Sequence, residues 1–216
     1  MSALPETDLP ETDRLVVVGA GSVGSALAAN AAAHGIAVTL WVRDPARVTA
    51  PDGVEVLALA DLAPAVTTAV LAVPFDAVAD VVPALPLAPG SVLVDATNPF
   101  GRPLPEGAAS GAAHVLAHAP AGVAVVKAFN VLGAEHMGAP RLPDGAAPVL
   151  PVAGDDAGAR GLVASLAARL EFDAVEVGGL AAAGTLEEAA RYWGLLAFAG
   201  GRGRGVVLTA RQRELA

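Results

Sequence analysis

The sequence has no cysteine, which removes disulfides, thiolate metal sites and cysteine nucleophiles from the list of functions. That absence is compatible with the cytoplasm, where we expect the protein to work. Histidine is sparse as well, at four residues (His34, His114, His118 and His136). His114 and His118 are spaced to share a helix face, but without a third ligand or an H-E-x-x-H pattern they make a poor metal case. Positive charge is in deficit: 13 Lys and Arg against 22 Asp and Glu leave a formal net charge of −9, which repels a phosphate backbone and argues against nucleic acid as a partner. Long apolar runs are missing too. The most apolar window, LALADLAPAVTTAVLAVPF, is interrupted by Asp61, two prolines and two threonines, and a membrane helix needs about 18 uninterrupted residues. A soluble chain is therefore expected, its high apolar fraction of 54% being largely alanine. Neither G-x-S-x-G nor an obvious catalytic triad is present.

The first 13 residues, MSALPETDLPETD, contain LPETD twice. A sortase signal would need glycine after the threonine and a membrane anchor beyond it, and a secretory signal would need a basic start and an apolar stretch. Residues 1–13 read instead as a disordered acidic leader.

From Arg14 onward, short β-branched runs alternate with alanine-rich stretches. The expected strands cover 14–19, 37–42, 54–59, 67–73, 91–96, 123–129, 147–154 and 173–178, with helices near 22–34, 75–84, 106–118, 155–170 and 181–199. Strands that are apolar throughout and alternate with helices indicate a mostly parallel sheet covered on both faces, a doubly wound α/β fold. The proline clusters at 83–89 and 99–105 read as loops, and no Gly/Ser linker divides the chain. We expect one domain over 14–200, ending in a C-terminal helical extension, and a tail over 201–216 that packs back on the core or is partly mobile.

The run RLVVVGAGSVGSALAANAAAHG places Gly19-Ala20-Gly21-Ser22-Val23-Gly24 between a strand and a helix. The first glycine permits a tight turn, the second a close approach to pyrophosphate, and the third close packing of helix on strand. The helix N-terminus offers free N–H groups and a partial positive charge to the anion. In this strand–turn–helix context the motif predicts a Rossmann-type dinucleotide site.

An NAD site of this kind places a carboxylate at the end of the second strand, about 20 residues after the glycines. Here TLWVRDPAR puts Arg43 there and Arg47 one helical turn later, with Asp44 between them as a cap. A guanidinium pairs with the 2′-phosphate of NADP, which a carboxylate would repel. The pair therefore reads as a 2′-phosphate clamp. The competing reading has both arginines as solvated loop charges and Asp44 holding an NAD ribose.

GAGSVG, RDPAR, LAVPFDAV, VDATNPF, VVKAFNVLGAEHM and AGDDAGAR occur in this order over about residues 14–200, and together the chain resembles the F420-dependent NADP oxidoreductases and related dinucleotide-binding proteins. The family places Ser-Arg after its second strand, and here the serine position is Val42, so one hydrogen bond to the phosphate is missing. The resemblance implies that Ala72, Val73 and Pro74 run along the cofactor and that Asn98 and Pro99 lie near its nicotinamide end. It also implies that Asn130 and Leu132 line the place where a deazaflavin ring meets the nicotinamide. On the plainer reading Asn130 caps a turn and Leu132 belongs to the core.

Hydride exchange between two flat cofactor rings needs no protein nucleophile and no metal, because the cofactors carry the electronic work. The resemblance thus implies an oxidoreductase passing hydride between NADP(H) and F420 or a flavin-like partner. Reduction of a small carbonyl or imine would instead need a proton donor, for which Lys127 is the best candidate; its plainer role is a strand-end lysine that reaches water or pairs with a carboxylate such as Asp95. A third reading is a non-catalytic NADP(H) sensor. Tyr192 reads as packing, and the large apolar residues of the last helix, Leu186, Trp193, Leu195, Leu196 and Phe198, suit either a second core layer or the contact of a homodimer.

Overall fold

A computed structural model describes residues 14–61, 66–211 and 213; the LPETD leader lies outside the described residues. All eight expected strands form: β1 (Leu15–Val18), β2 (Val38–Val42), β3 (Val54–Ala58), β4 (Val66–Leu71), β5 (Leu87–Asp95), β6 (Ala124–Lys127), β7 (Val149–Gly154) and β8 (Asp173–Glu176). They make one sheet in the order β3-β2-β1-β4-β5-β6-β7-β8. The chain winds outward from β1 to β3 on one side and from β4 on the other. That leaves a switch point between β1 and β4, where an open α/β sheet forms its ligand crevice.

Successive residues of each central strand point to opposite faces, and both faces are buried. Val17, Val70, Val94 and Val126 pack with α1 (Ser22–Ala33), α4 (Ala157–Arg169) and α5 (Ala183–Gly194), whereas Val18, Leu71, Leu93 and Val125 pack with the segment 75–84 and α3 (Gly111–His118). This is why the strands read as unbroken apolar runs.

The sheet is mostly parallel, as expected; the exception is β7, which runs antiparallel to β6, with Lys127 opposite Ala153. A parallel return needs a crossover helix, and between β6 and β7 there is only the single 3-10 turn Ala134–His136. The expected helix over 75–84 is three short pieces around the four-residue α2 (Val78–Val81), since Pro83 supplies no N–H to continue it. The helix expected from residue 106 begins at Gly111, where the Ser110 hydroxyl caps it by accepting from Ala113 N–H at 3.0 Å. In addition, part of the proline cluster read as a loop belongs to β5: Leu87 is buried and pairs with Val66, ahead of a register shift.

The segment after α5 turns back over the body. A π-helical turn, Leu195–Ala199, ends the helix, and the chain then ties down through Trp193 Nε1–H to Val206 O (2.7 Å), His136 Nε2 to Arg204 O (3.0 Å) and Val149 N–H to Leu208 O (2.9 Å). Arg204 also pairs with Glu135. The hydrogen bond from Arg204 holds the Glu135 carboxyl below the usual glutamate value of 4.5, aided by a backbone hydrogen bond. A depressed carboxyl stabilises above its unfolded value and loses that contribution as pH falls through the folded one. Acidification below about pH 4.5 is therefore expected to loosen this tether, read as a change in Trp193 fluorescence that Glu135→Gln removes.

Candidate functional site

At the end of β1 the chain turns at Gly19, whose φ of +103° is open to glycine. A Cβ there would sit 2.5 Å from the Ala72 carbonyl, so the turn lies hard against the end of β4. At Gly24 a Cβ would meet the Gly19 carbonyl at 2.0 Å, which is how closely α1 approaches the strand. At Gly21 a Cβ would meet nothing within 4 Å; this residue borders open space and precedes the first turn of α1, which has no side-chain cap and no acidic residue. Gly19 and Gly24 thus serve the tight turn and the close helix packing that their spacing predicts, Gly21 faces open space, and the N–H groups of Ser22, Val23 and Gly24 have no side-chain cap.

A cleft of about 860 Å³ opens above the switch point. Among its walls are Ser22, Val23, Ala72, Val73, Pro74, Asn98, Pro99, Asn130 and Leu132, so the residues expected along the cofactor and at its ring end converge from four separate loops. Gly19, Ala20, Gly21 and Gly24 form the turn beneath. Arg43 and Arg47 do not line this cleft; they stand exposed beyond the end of β2, with no ion pair among the described residues. Asp44 caps the 3-10 turn Pro45–Arg47 by accepting from Ala46 N–H at 3.1 Å, which places the two arginines at the two ends of one short turn.

The part of the cleft at the ends of β5 and β6, where the ring end is expected, is organised by two asparagines. Asn98 Nδ2 donates to the Asn130 carbonyl at 2.8 Å, and Asn130 Nδ2 donates to Asn98 Oδ1 at 2.9 Å and to the Leu186 carbonyl at 3.1 Å. Asn130 therefore caps no turn; it ties the end of β6 to the end of β5 and to α5. Asn130 Oδ1 and Thr97 Oγ1 are both buried without a partner. Leu132 is both things that sequence allowed, a member of the core and a wall of the cleft.

Backbone strain collects at the same place. Phe129, just before Asn130, has φ +58°, and Phe100, two residues after Asn98, has φ +48°. Such left-handed conformations cost a bulky residue about 1–2 kcal/mol each. Phe129 is anchored by edge-on packing against Phe172 at 5.6 Å, and only 1% of its surface is exposed.

Lys127, the candidate proton donor, is fully buried and does not line the cleft. Its Nζ contacts Asp95 Oδ2 at 2.9 Å, Glu187 Oε1 at 3.1 Å and the Thr97 carbonyl at 2.6 Å. Glu187 in turn accepts from the N–H groups of Gly111 and Ala112 at the start of α3 (3.1 and 3.2 Å). One ammonium thus joins β5, β6 and α5, and through Glu187 also α3. The pairing with Asp95 was legible from sequence, but Glu187 was not. Tyr192 is 53% exposed and lines the cleft, which corrects its reading as a packing residue. The last helix divides its apolar residues: Leu186 enters the core, Trp193 is buried where the core borders the cleft, and Leu195 and Phe198 line the cleft. His114 and His118 stack edge to face at 4.4 Å; burial and then His118 push the His114 ring below its ordinary value, and no group of three metal-ligating side chains forms among the described residues. No helix there is long and apolar enough to cross a membrane.

The switch-point cleft and the glycine turn define the class by fold, a Rossmann-type dinucleotide-binding protein, and the family match makes it an NADP-binding oxidoreductase. Residues 14–99 match the family described as NADP oxidoreductase, coenzyme F420-dependent. A hypothetical protein from Sinorhizobium meliloti is 33% identical with TM-score 0.70, over 80% of this chain and 88% of that one. A protein of Arthrobacter sp. FB24, provisionally described as an F420-dependent NADP reductase, is 27% identical with TM-score 0.73, over 91% and 99% of the two chains. The chain belongs to this family. A reductive aminase from Aspergillus terreus shares the fold at 20% identity and TM-score 0.60, over 88% of this chain and 63% of that one. No curated protein matches the sequence.

Proposed function

We propose that the protein passes a hydride between NADP(H) and a flat-ring carrier, F420 or a flavin. The observation that carries this reading is the position of Lys127. It is the only lysine in the chain, and it is sealed in a network outside the cleft, so the best candidate for the proton donor of a carbonyl or imine reductase has no access to a substrate. A ring-to-ring transfer asks less of the protein: it must hold two planes in contact and exclude water, while the cofactors supply the redox chemistry. The walls around Asn98 and Asn130 are suited to the first task, and the apolar side chains of α5 and the following π turn to the second. The family membership and the name carried by the Arthrobacter relative point the same way.

The test is anaerobic mixing with oxidised F420, following its absorbance, with NADPH in one arm and NADH in the other. Loss of the oxidised absorbance with NADPH alone supports the proposal. A deazaflavin that stays oxidised while NADPH binds would overturn its acceptor half. We further propose that Arg43 and Arg47 hold the 2′-phosphate. Arg43→Ala is expected to weaken NADPH binding by about 1.5–3 kcal/mol and leave NADH binding nearly unchanged, measured by titration calorimetry. Equal losses for both nucleotides would count against the clamp.

A further inference from the structure

The four most exposed large apolar side chains among the described residues, Phe100, Leu195, Phe198 and Tyr192, are 53–69% exposed, and all four line the one cleft. Exposed apolar surface gathered in this way marks a surface that something covers. Phe198 already has company: it meets Trp193 edge-on at 6.3 Å and lies under the Arg204 guanidinium at 5.8 Å. Phe100 has neither an aromatic nor a cationic partner among the described residues, and it is the most exposed of the four.

Its backbone makes this isolation informative. Phe100 and Gly101 both have positive φ (+48° and +80°), and Arg102 N–H closes the turn on the Pro99 carbonyl at 3.1 Å. Two central residues at positive φ are the mark of a type I′ turn, whose first central position is ordinarily Asn, Asp or Gly. A phenylalanine there strains the backbone, and with 69% of its surface exposed and no aromatic or cationic partner among the described residues it gains little packing to offset the strain.

We infer that Phe100 is a specificity-determining residue whose ring lies against the conjugated ring of the second substrate, a planar deazaflavin or flavin. This rests on the flat-ring reading above. The occupant is a small planar molecule because the shelf is continuous with the cleft that begins at the glycine turn, and because Asn98 and Pro99, expected at the nicotinamide end, immediately precede Phe100. Aromatic stacking needs a face and not merely bulk. Leucine therefore cannot replace phenylalanine here, whereas tyrosine can.

The experiment measures binding of oxidised F420, and separately of FMN, by fluorescence quenching in the presence of saturating NADP+. The proteins compared are the wild type and Phe100→Leu, Phe100→Tyr and Phe100→Gly, each with its Tm and its NADPH Kd. Phe100→Leu and Phe100→Gly should weaken ring binding at least tenfold, and Phe100→Tyr should stay within twofold. NADPH affinity should stay within twofold throughout. Phe100→Gly relieves the positive φ and should melt no lower than the wild type, so lost ring binding in it is not a folding defect. Unchanged ring binding in the leucine and glycine variants overturns the assignment while leaving the flat-ring reading intact. Failure of the wild type to bind either ring removes both. A shift from dimer to monomer in Phe100→Leu with ring binding intact would show the shelf to be a contact with a second copy, and would overturn the proposal.

Discussion

Replacing Lys127 with methionine is expected to destabilise the protein by about 3–5 kcal/mol, the cost of removing one partner from a buried ion pair. The substitution keeps most of the unbranched apolar stem and deletes the ammonium, with its charge and its contacts to Asp95, Glu187 and the Thr97 carbonyl. It leaves Asp95, which is 0% exposed, and Glu187, at 8%, facing each other's surroundings without a cation. Glu187 retains the Gly111 and Ala112 N–H donors and Asp95 the Thr97 N–H donor, so the network is weakened and not erased. Urea denaturation gives the measurement. Arg191→Ala is the control, because it breaks an ion pair with Glu188 in which both partners are more than half exposed, and it should cost no more than about 0.5 kcal/mol. A loss below about 1 kcal/mol in Lys127→Met would mean that the buried ammonium contributes little. In protein that remains folded at low temperature, hydride transfer to a flat ring should persist in the methionine variant, since the lysine does not reach the cleft.

Gly24→Ala is expected to lower NADPH affinity by at least 100-fold, about 2.7 kcal/mol or more, and to destabilise the fold by about 1–3 kcal/mol. The methyl group would stand 2.0 Å from the Gly19 carbonyl oxygen, and both partners are backbone, so the turn itself must move. The turn is pinned on two sides, by Gly19 N–H to the Trp41 carbonyl (2.8 Å) and by Ala72 N–H to the Val18 carbonyl (2.9 Å). It cannot shift without disturbing β2 and β4. Gly21→Ala should separate the two effects. Its methyl meets no protein atom within 4 Å and should leave stability unchanged, yet it should weaken NADPH binding by obstructing the approach of the pyrophosphate. Thermal melts with and without NADPH measure both. A Gly24→Ala protein that binds like the wild type would show that the helix can retreat from the strand.

Sequence displayed the strands because each central strand is buried on both faces and so is apolar without interruption. The direction of β7 was hidden because periodicity is the same for either orientation; only the missing crossover helix in 128–148 carries it, and an absent helix is easy to overlook. In LEEAARYW, Glu187 and Glu188 look alike, yet one is buried on Lys127 and the other is exposed. That difference is set by which side of α5 meets β6, a tertiary fact. The glycine turn and the convergence of Ala72, Asn98 and Asn130 were legible because their chemistry is local to strand ends. Phe100 left only a faint trace, a Pro-Phe-Gly sequence that reads as an ordinary turn.

The arginine side chains of the turn after β2 stand exposed and make no ion pair among the described residues, while the asparagine pair and Lys127 tie the ends of two strands to two helices. Substitutions at 43 and 47 are thus free of consequence for the geometry in which hydride would move. With the proposed clamp at Arg43 and Arg47, a lineage carrying this scaffold could exchange one nicotinamide nucleotide for the other by a few surface changes and keep its acceptor, whereas a new acceptor would require rebuilding the interior. Redox currency and redox partner would then be separately inheritable traits.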